Sequence, residues 1–220
     1  MIRLLTACLL LVISISSQAS TQIGSVAIYS DGSVEKLIEK TIDGSLWQDQ
    51  RKRMYKRSKY PYLPELSYQK FPDPSQGFSH SIIFGHPERL KPYGDRDVVD
   101  FELMKKTSSN SGKKYWQCSY EGKGKFKLGK KRIETEDYSC VRWVFYKEIV
   151  PKTKETIRLK YSPKLGLIVD RRHRDSRGEK KRKKLVQVFS PEKATASVLR
   201  EPFTQSETKS EVTHVSYLLR

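Results

Sequence analysis

From about residue 80 onward, the sequence repeats a single pattern that restricts the fold more than any other feature. Short runs rich in β-branched and aromatic residues alternate with turn-forming segments. Such runs predict strands, and connections of hairpin length, spaced by roughly ten residues, predict antiparallel pairing of consecutive strands. The runs are HSIIFGH, DVVDFELMKK, KKYWQCSYEG, YSCVRWVFYKEIV, ETIRLKYS, LGLIVDRRHR and KKLVQVF. The sequence therefore predicts a β-rich fold, a curved antiparallel sheet or half-barrel of about 6–8 strands.

One segment of this region, GKGKFKLGKK at residues 122–131, is similar to a phosphate-binding loop of the form G-x-x-x-x-G-K-[ST]. Such a loop needs a Ser or Thr after its lysine to bind magnesium, and this chain has Lys131 there. The loop also needs a helix to follow it, whereas the next residues alternate like a strand. Phe126 and Leu128 alternate with lysines, which gives one apolar face and one basic face. We interpret the segment as a hairpin and expect no nucleotide cofactor.

The first 19 residues, MIRLLTACLLLVISISSQA, have the features of a secretory signal peptide. Arg3 precedes an apolar run from Leu4 to Ile15, and small residues follow up to Ala19. The run is too short for a membrane helix, which needs about 20 apolar residues. We therefore expect export to the periplasm or the medium, with cleavage near Ala19. The lipoprotein-like box LTAC, ending at Cys8, is an alternative processing site, although it would leave almost no apolar core before the cut.

Cleavage near Ala19 leaves two cysteines, Cys118 and Cys140. In an exported chain, a lone pair of cysteines is most simply a disulfide. Metal or redox chemistry is the alternative, but the chain has no C-x-x-C motif and no His between residues 87 and 172. The strands around the two cysteines flank the hairpin, and adjacent strands place Cα atoms about 4.5–5.5 Å apart, within disulfide range. We predict a structural disulfide in the middle of the sheet.

The chain before residue 79 has a different pattern. Val34, Leu37 and Ile38 follow helical spacing, and Ser33 can cap a first helical turn. We therefore predict a helix within residues 33–58. Residues 60–78 are rich in proline and predict a loop or an extended segment.

These features divide the chain into four parts and define an α+β fold class. Residues 1–19 form the signal peptide, and residues 20–78 contain the helix and the proline-rich segment. Residues 79–190 form the antiparallel sheet domain. Residues 191–220 form a polar C-terminal tail, in which only EVTHVSYLL could add one more strand.

Residues 95–190 resemble uncharacterised β-sheet domains of Gram-negative cell-envelope proteins, either periplasmic or lipoproteins. The resemblance lies in a Cys-bearing strand, a glycine-containing hairpin, a second Cys and a YSP..GL.V corner. It implies a curved antiparallel sheet in the periplasm and implies no catalytic residues. The chain departs from the pattern at Gly129–Arg132, where small residues and an aromatic are usual. The matching positions are Cys118, Gly122, Phe126, Leu128, Gly129, Cys140, Tyr161, Ser162, Pro163, Gly166 and Val169.

Charge placement is the strongest functional signal in the sequence. The chain has 43 Lys and Arg against 25 Asp and Glu, a formal net charge of +18. Basic side chains concentrate in residues 171–184, 51–59 and 123–132. If these segments meet on one surface, they would attract a polyanion by focusing the electrostatic field. The candidate polyanion-binding residues are Arg171, Arg172, Arg174, Arg177, Lys180, Lys181, Arg182, Lys183, Lys184, Arg51, Lys52, Arg53, Lys130, Lys131 and Arg132.

The sequence leaves three hypotheses for function open. The first is a non-catalytic exported envelope protein whose basic face binds an anionic polymer or an anionic lipid surface. The second is a periplasmic carrier or assembly factor that holds an apolar ligand in a curved sheet. The third is a structural partner module of an envelope complex. We expect neither a metal site nor an organic cofactor, and we find no catalytic signature.

Overall fold

The structure is a computed structural model, and it describes residues 21–70, 72–73, 75–146 and 150–194. The predicted signal peptide lies outside these residues. So does residue 195 onward, which contains most of the polar tail and its candidate strand.

The fold is a closed antiparallel barrel in which each strand pairs with its neighbours along the chain. The first strand also pairs with the last, with Val26 opposite Phe189, and this contact closes the barrel. The strands are β1 Val26–Tyr29, β2 Val34–Thr41, β3 Gly44–Asp49, β4 Met54–Ser58, β5 Ser67–Gln69, β6 Phe78–Gly85, β7 Val98–Lys106, β8 Ser111–Leu128, β9 Lys131–Tyr146, β10 Val150–Ser162, β11 Leu167–Asp175 and β12 Lys180–Phe189. A short 3₁₀ helix, Pro87–Arg89, lies between β6 and β7, and another, Pro191–Lys193, follows β12.

The barrel corrects the predicted fold class. The predicted half-barrel of 6–8 strands with an N-terminal helix is wrong, because the barrel is closed by twelve strands and the described residues contain no α-helix. Residues 33–58 form β2, β3 and β4 instead of a helix. At the start of β2, side chains on both faces of the strand are buried, including Val34, Glu35 and Leu37. A strand that is covered on both faces has no polar–apolar alternation, so its sequence can have helical spacing.

Among the described residues, no helix has the length and apolar character needed to cross a membrane.

Because the strands run up and down, their connections alternate between the two ends of the barrel. At one end, which we call the cavity end, lie residues 42–43, 59–66, 86–97, 129–130 and 163–166. At the other, which we call the far end, lie residues 30–33, 50–53, 107–110 and 176–179, among others. Strands on both sides of the predicted boundary at residue 78 belong to this one sheet.

Two clusters of buried side chains fill much of the barrel. One contains Phe101, Trp116 and Leu159 together with the disulfide between Cys118 and Cys140. These cysteines lie directly opposite each other on β8 and β9, as the sequence predicts. The other cluster contains Tyr29, Leu37, Trp47 and Leu185 from the strands near the closing seam. Both clusters combine large aromatic side chains with aliphatic ones.

Candidate functional site

The barrel interior contains a cavity of about 210 Å³ at the cavity end. Its wall is formed by β2, β3 and β4 on one side and by β10 and β11 on the other, and the connection 59–66 passes between them. The apolar lining includes Leu37, Trp47, Tyr62, Ile157 and Leu159. These five side chains are nearly fully buried. The cavity therefore offers an aromatic and aliphatic surface inside the barrel.

Strand register explains why these side chains meet in the cavity. Residues opposite each other on paired strands share a face, and side chains alternate along each strand. Leu37 lies opposite Trp47, and Leu159 lies opposite Arg171, so each pair points into the interior. In the connection 59–66, Tyr62 stacks on Tyr60 and donates a hydrogen bond of 2.7 Å to the carbonyl oxygen of Pro87. That bond fixes the connection against the inner wall.

Glu35 is a buried carboxylate that forms ion pairs with Arg57 and Lys183 inside the barrel. Arg57 donates a hydrogen bond of 3.0 Å to one of its oxygens and lies 2.9 Å from the other in an ion pair, and Lys183 lies 2.6 Å away. Glu35 is only 3% exposed. Burial alone would raise its pKa, but the charges and hydrogen bonds of Arg57 and Lys183 outweigh this and lower the pKa to about 2. Glu35 is therefore a carboxylate at any physiological pH.

A second ion pair lies on the cavity wall itself. Arg171 donates to Glu65 at 3.1 Å, and both residues line the cavity together with Arg57. Burial would raise the pKa of Glu65, but Arg171, Arg57 and a hydrogen bond from its own backbone lower it to about 2. The guanidinium of Arg57 also lies 5.5 Å from the centre of the Trp47 ring. The polar groups of the cavity are thus paired ions with donors and acceptors next to an aromatic wall.

Such an arrangement suits binding. An apolar body can pack on Trp47, Leu159 and Tyr62, while one polar group of the same ligand hydrogen-bonds to Glu65, Arg57 or Arg171. Because the charges are largely balanced inside the protein, the cavity does not need an ionised ligand.

The structure brings two of the three basic segments into contact, because Lys184 of β12 lies 5.7 Å from the centre of the Phe126 ring in β8. The turns that contain Arg51–Arg53 and Arg177 lie at the far end, whereas Lys130, Lys131 and Arg132 lie at the cavity end. Alternation along β11 and β12 also divides their basic residues. Arg171 and Lys183 face into the barrel, and Arg172 and Arg182 lie on the opposite face of the sheet.

Many of the predicted polyanion-binding residues have an acidic partner within the protein. Asp170 binds two of them, and the others pair within turns or across the interior. The pairs are Arg171–Glu65 at 3.1 Å, Arg172–Asp170 at 3.3 Å, Arg182–Asp170 at 2.8 Å, Lys183–Glu35 at 2.6 Å, Arg53–Asp49 at 2.5 Å, Arg177–Asp175 at 3.2 Å and Lys181–Glu179 at 3.0 Å. These seven basic side chains therefore already have an anionic partner within the protein. Polyanion binding by the candidate residues stays a prediction.

Sequence reasoning missed the residues from the first half of the chain that form the interior ion pairs and the cavity wall. Glu35, Trp47 and Arg57 fall in the segment predicted as a helix, and Glu65 falls in the segment predicted as a loop. One signal was available: in VEKLIEK, Glu35 and Leu37 are two residues apart, which is the spacing of side chains that share a strand face.

No protein-family model matches the sequence. No curated protein matches it either. Two solved structures are similar to the barrel. The hypothetical lipoprotein YmcC from Escherichia coli aligns with a TM-score of 0.45 and 9% identity, over 74% of this chain and 82% of that one. A Bacteroides fragilis protein, described as a "putative exported protein with YmcC-like fold", aligns with a TM-score of 0.41 and 10% identity, over 78% and 98%. Both descriptions belong to the class that the sequence resembles, but these TM-scores are too low to decide family or function.

Proposed function

We propose that the protein is an exported binding protein that holds a small ligand, apolar with one polar group, in the cavity of the barrel. The observation that carries this proposal is the cavity of about 210 Å³, with its aromatic and aliphatic wall beside paired charges. It corresponds to the second hypothesis from the sequence, a carrier of an apolar ligand.

The size of the cavity limits the ligand. Sites for drug-sized molecules occupy about 300–1,000 Å³, so a cavity of about 210 Å³ suits a smaller molecule or the end of a longer one. A flat aromatic or short aliphatic group would lie against Trp47 and Leu159.

The polar part of the ligand has defined partners. The side chains of Arg171 and Glu65 keep 31% and 25% of their surface exposed, so a ligand can reach them without breaking their ion pair. Arg171 supplies donors and Glu65 supplies acceptors, which suits a hydroxyl, amide or carboxylic group.

The proposal is tested by titrating the uncharged fluorophore N-phenyl-1-naphthylamine into the full chain and following its emission. We expect saturable binding that changes little with salt, because the probe carries no charge. Leu165 lines the cavity and is only partly buried. Leu165→Lys places a charge in the lining and should weaken binding by about tenfold, comparable to the loss of one buried apolar side chain.

Leu128→Lys is the matched control. Leu128 is also a partly buried leucine packed against the same hydrophobic cluster, and it ends its strand at the same end of the barrel, but it does not line the cavity. The dissociation constant of this variant for the probe should stay within about twofold of that of the original protein. Equal loss of binding in both variants, or no saturable binding in the original protein, would refute the proposal.

A further inference from the structure

The interior near the far end of the barrel contains a second group of side chains, which adjoins the cavity wall at Glu65. His80, Lys105, Lys114 and Arg142 come from the consecutive strands β6, β7, β8 and β9. None of these four residues lines the cavity. They bring several basic groups to one part of the inner wall.

Strand register places these side chains side by side. His80 lies opposite Lys105. On the next pair of strands, Lys114 lies opposite Leu103, two residues from Lys105 and on the same face. Arg142 lies opposite Trp116, two residues from Lys114. All of them share the face of the buried Leu103 and Trp116, which is the inner face.

Two carboxylates near this group, Glu65 and Glu155, already have basic partners, and that of Glu65 is Arg171. Glu155 accepts hydrogen bonds from Arg142 and from His173, the latter at 2.7 Å. Within the described part of the chain, Lys105 and Lys114 form no ion pair within 4.0 Å. Lys105 instead lies over the Phe78 ring, 4.6 Å from its centre. Burial, Lys105 and Arg142 together lower the pKa of Lys114, so two lysines repel each other here.

Two further polar atoms in this region lack a partner. The indole Nε1 of Trp116 and the Nε2 of His80 are buried, and neither has a hydrogen-bond partner among the described residues. The Nδ1 of His80 lies 2.7 Å from the carbonyl oxygen of Glu65, so Nδ1 must carry the proton. In the neutral ring, Nε2 is then an acceptor. Ammonium and indole donors beside one acceptor match an oxyanion that retains a hydroxyl.

We propose that His80, Lys105, Lys114 and Trp116 bind an oxyanion inside the far end of the barrel, with a phosphate group as the best match. A phosphate would neutralise both lysines, accept from Trp116 and donate its remaining hydroxyl to His80. Unpaired buried donors and mutually repelling cations are costly, and this ligand relieves both costs. Lysines bind phosphate as point charges and need no bidentate geometry.

The proposal is tested by isothermal titration calorimetry of the full chain with inorganic phosphate, at constant ionic strength set with chloride. Lys114→Gln should raise the dissociation constant by at least about tenfold, because a charge-assisted hydrogen bond is lost. Lys105→Gln should do the same. Phenyl phosphate and acetate are titrated in parallel, to distinguish a free phosphate, a phosphate ester and a carboxylate as the source of the anion.

Each variant has a neighbour as its control. Lys113 and Lys106 are exposed and lie on the outer face, one residue from Lys114 and Lys105. Lys113→Gln and Lys106→Gln remove the same charge and should change the dissociation constant by less than about twofold. Equal effects in the two sets would mean general attraction by the positive surface and would overturn the proposal, as would no saturable heat with any of the three anions. Lys114→Gln should still bind the naphthylamine probe, so failure here is distinct from failure of the cavity proposal.

Discussion

At the scale of single residues, Glu35 is the interior carboxylate whose removal should cost the most stability. Its carboxylate joins Arg57 on β4 and Lys183 on β12 from its own position on β2. A buried ion pair contributes little net stability compared with a well-packed apolar group, but the removal of one partner leaves an uncompensated charge. The removal of Glu35 should therefore cost more stability than its ion pairs contribute in the intact protein.

We predict that Glu35→Gln lowers the free energy of unfolding by about 3–5 kcal/mol, because Arg57 and Lys183 would stay buried without their anion. Urea denaturation followed by tryptophan fluorescence measures this change. Glu39→Gln, on the same strand but exposed, is the control and should cost less than about 0.5 kcal/mol. Similar losses in both variants would contradict the assigned role of Glu35.

At the scale of elements, the hairpins from β6 to β12 could be predicted and the first strands could not. The sequence of β8 and β9 alternates clearly, so its pairing and its disulfide follow from period-two patterning. In β1, Val26, Ala27, Ile28 and Tyr29 are all buried, so the sequence shows no alternation. β5 has three residues within a proline-rich segment, too short for any pattern.

Gly85, at the end of β6, provides a test of strand pairing at this scale. Its φ of +82° lies in the left-handed region, and an added Cβ would lie 2.3 Å from the carbonyl oxygen of Asp100 on β7. We predict that Gly85→Ala destabilises the protein by about 3 kcal/mol, from backbone strain and the steric clash together. Thermal unfolding by circular dichroism measures it.

Gly112 on β8 is the matched control for this substitution. An added Cβ there meets no atom within 4 Å, and its φ is not positive. Gly112→Ala should be neutral or slightly stabilising, because alanine restricts the unfolded chain. If Gly85→Ala lowered the thermal stability no more than Gly112→Ala, this would contradict the close approach of Gly85 to Asp100 on β7.

At the scale of the whole molecule, closure of the barrel explains why the basic segments could not be placed from sequence. The end of the barrel that each turn occupies depends on the number of strands that precede it. The sequence predicted about 6–8 strands, whereas the barrel has twelve. The pairing of Lys183 with Glu35 joins residues from opposite ends of the chain. The pairing of Arg171 with Glu65 crosses the interior in the same way. Sequence patterning detects neighbours along the chain, and both of these interior ion pairs are long-range contacts.

These interior carboxylates also predict how the whole barrel responds to acid. Glu35 and Glu65 have pKa values lowered to about 2 in the folded protein, against about 4.3 for an unperturbed glutamate. The unfolded chain therefore binds protons first, so the stability that each carboxylate contributes is complete above about pH 4.5 and is lost as the pH falls towards 2. For the buried Glu35 this amounts to about 3 kcal/mol.

Urea midpoints measured between pH 7 and pH 2.5 test this prediction. We expect a nearly constant midpoint down to about pH 5 and a steep fall below it. Glu35→Gln should start from a lower midpoint and fall less steeply, because one carboxylate with a lowered pKa is absent while Glu65 and others remain. The Glu39→Gln control should follow the original curve. An unchanged slope in Glu35→Gln would mean that this carboxylate does not couple folding to pH, since protonation of a paired anion must destabilise the state in which it is paired.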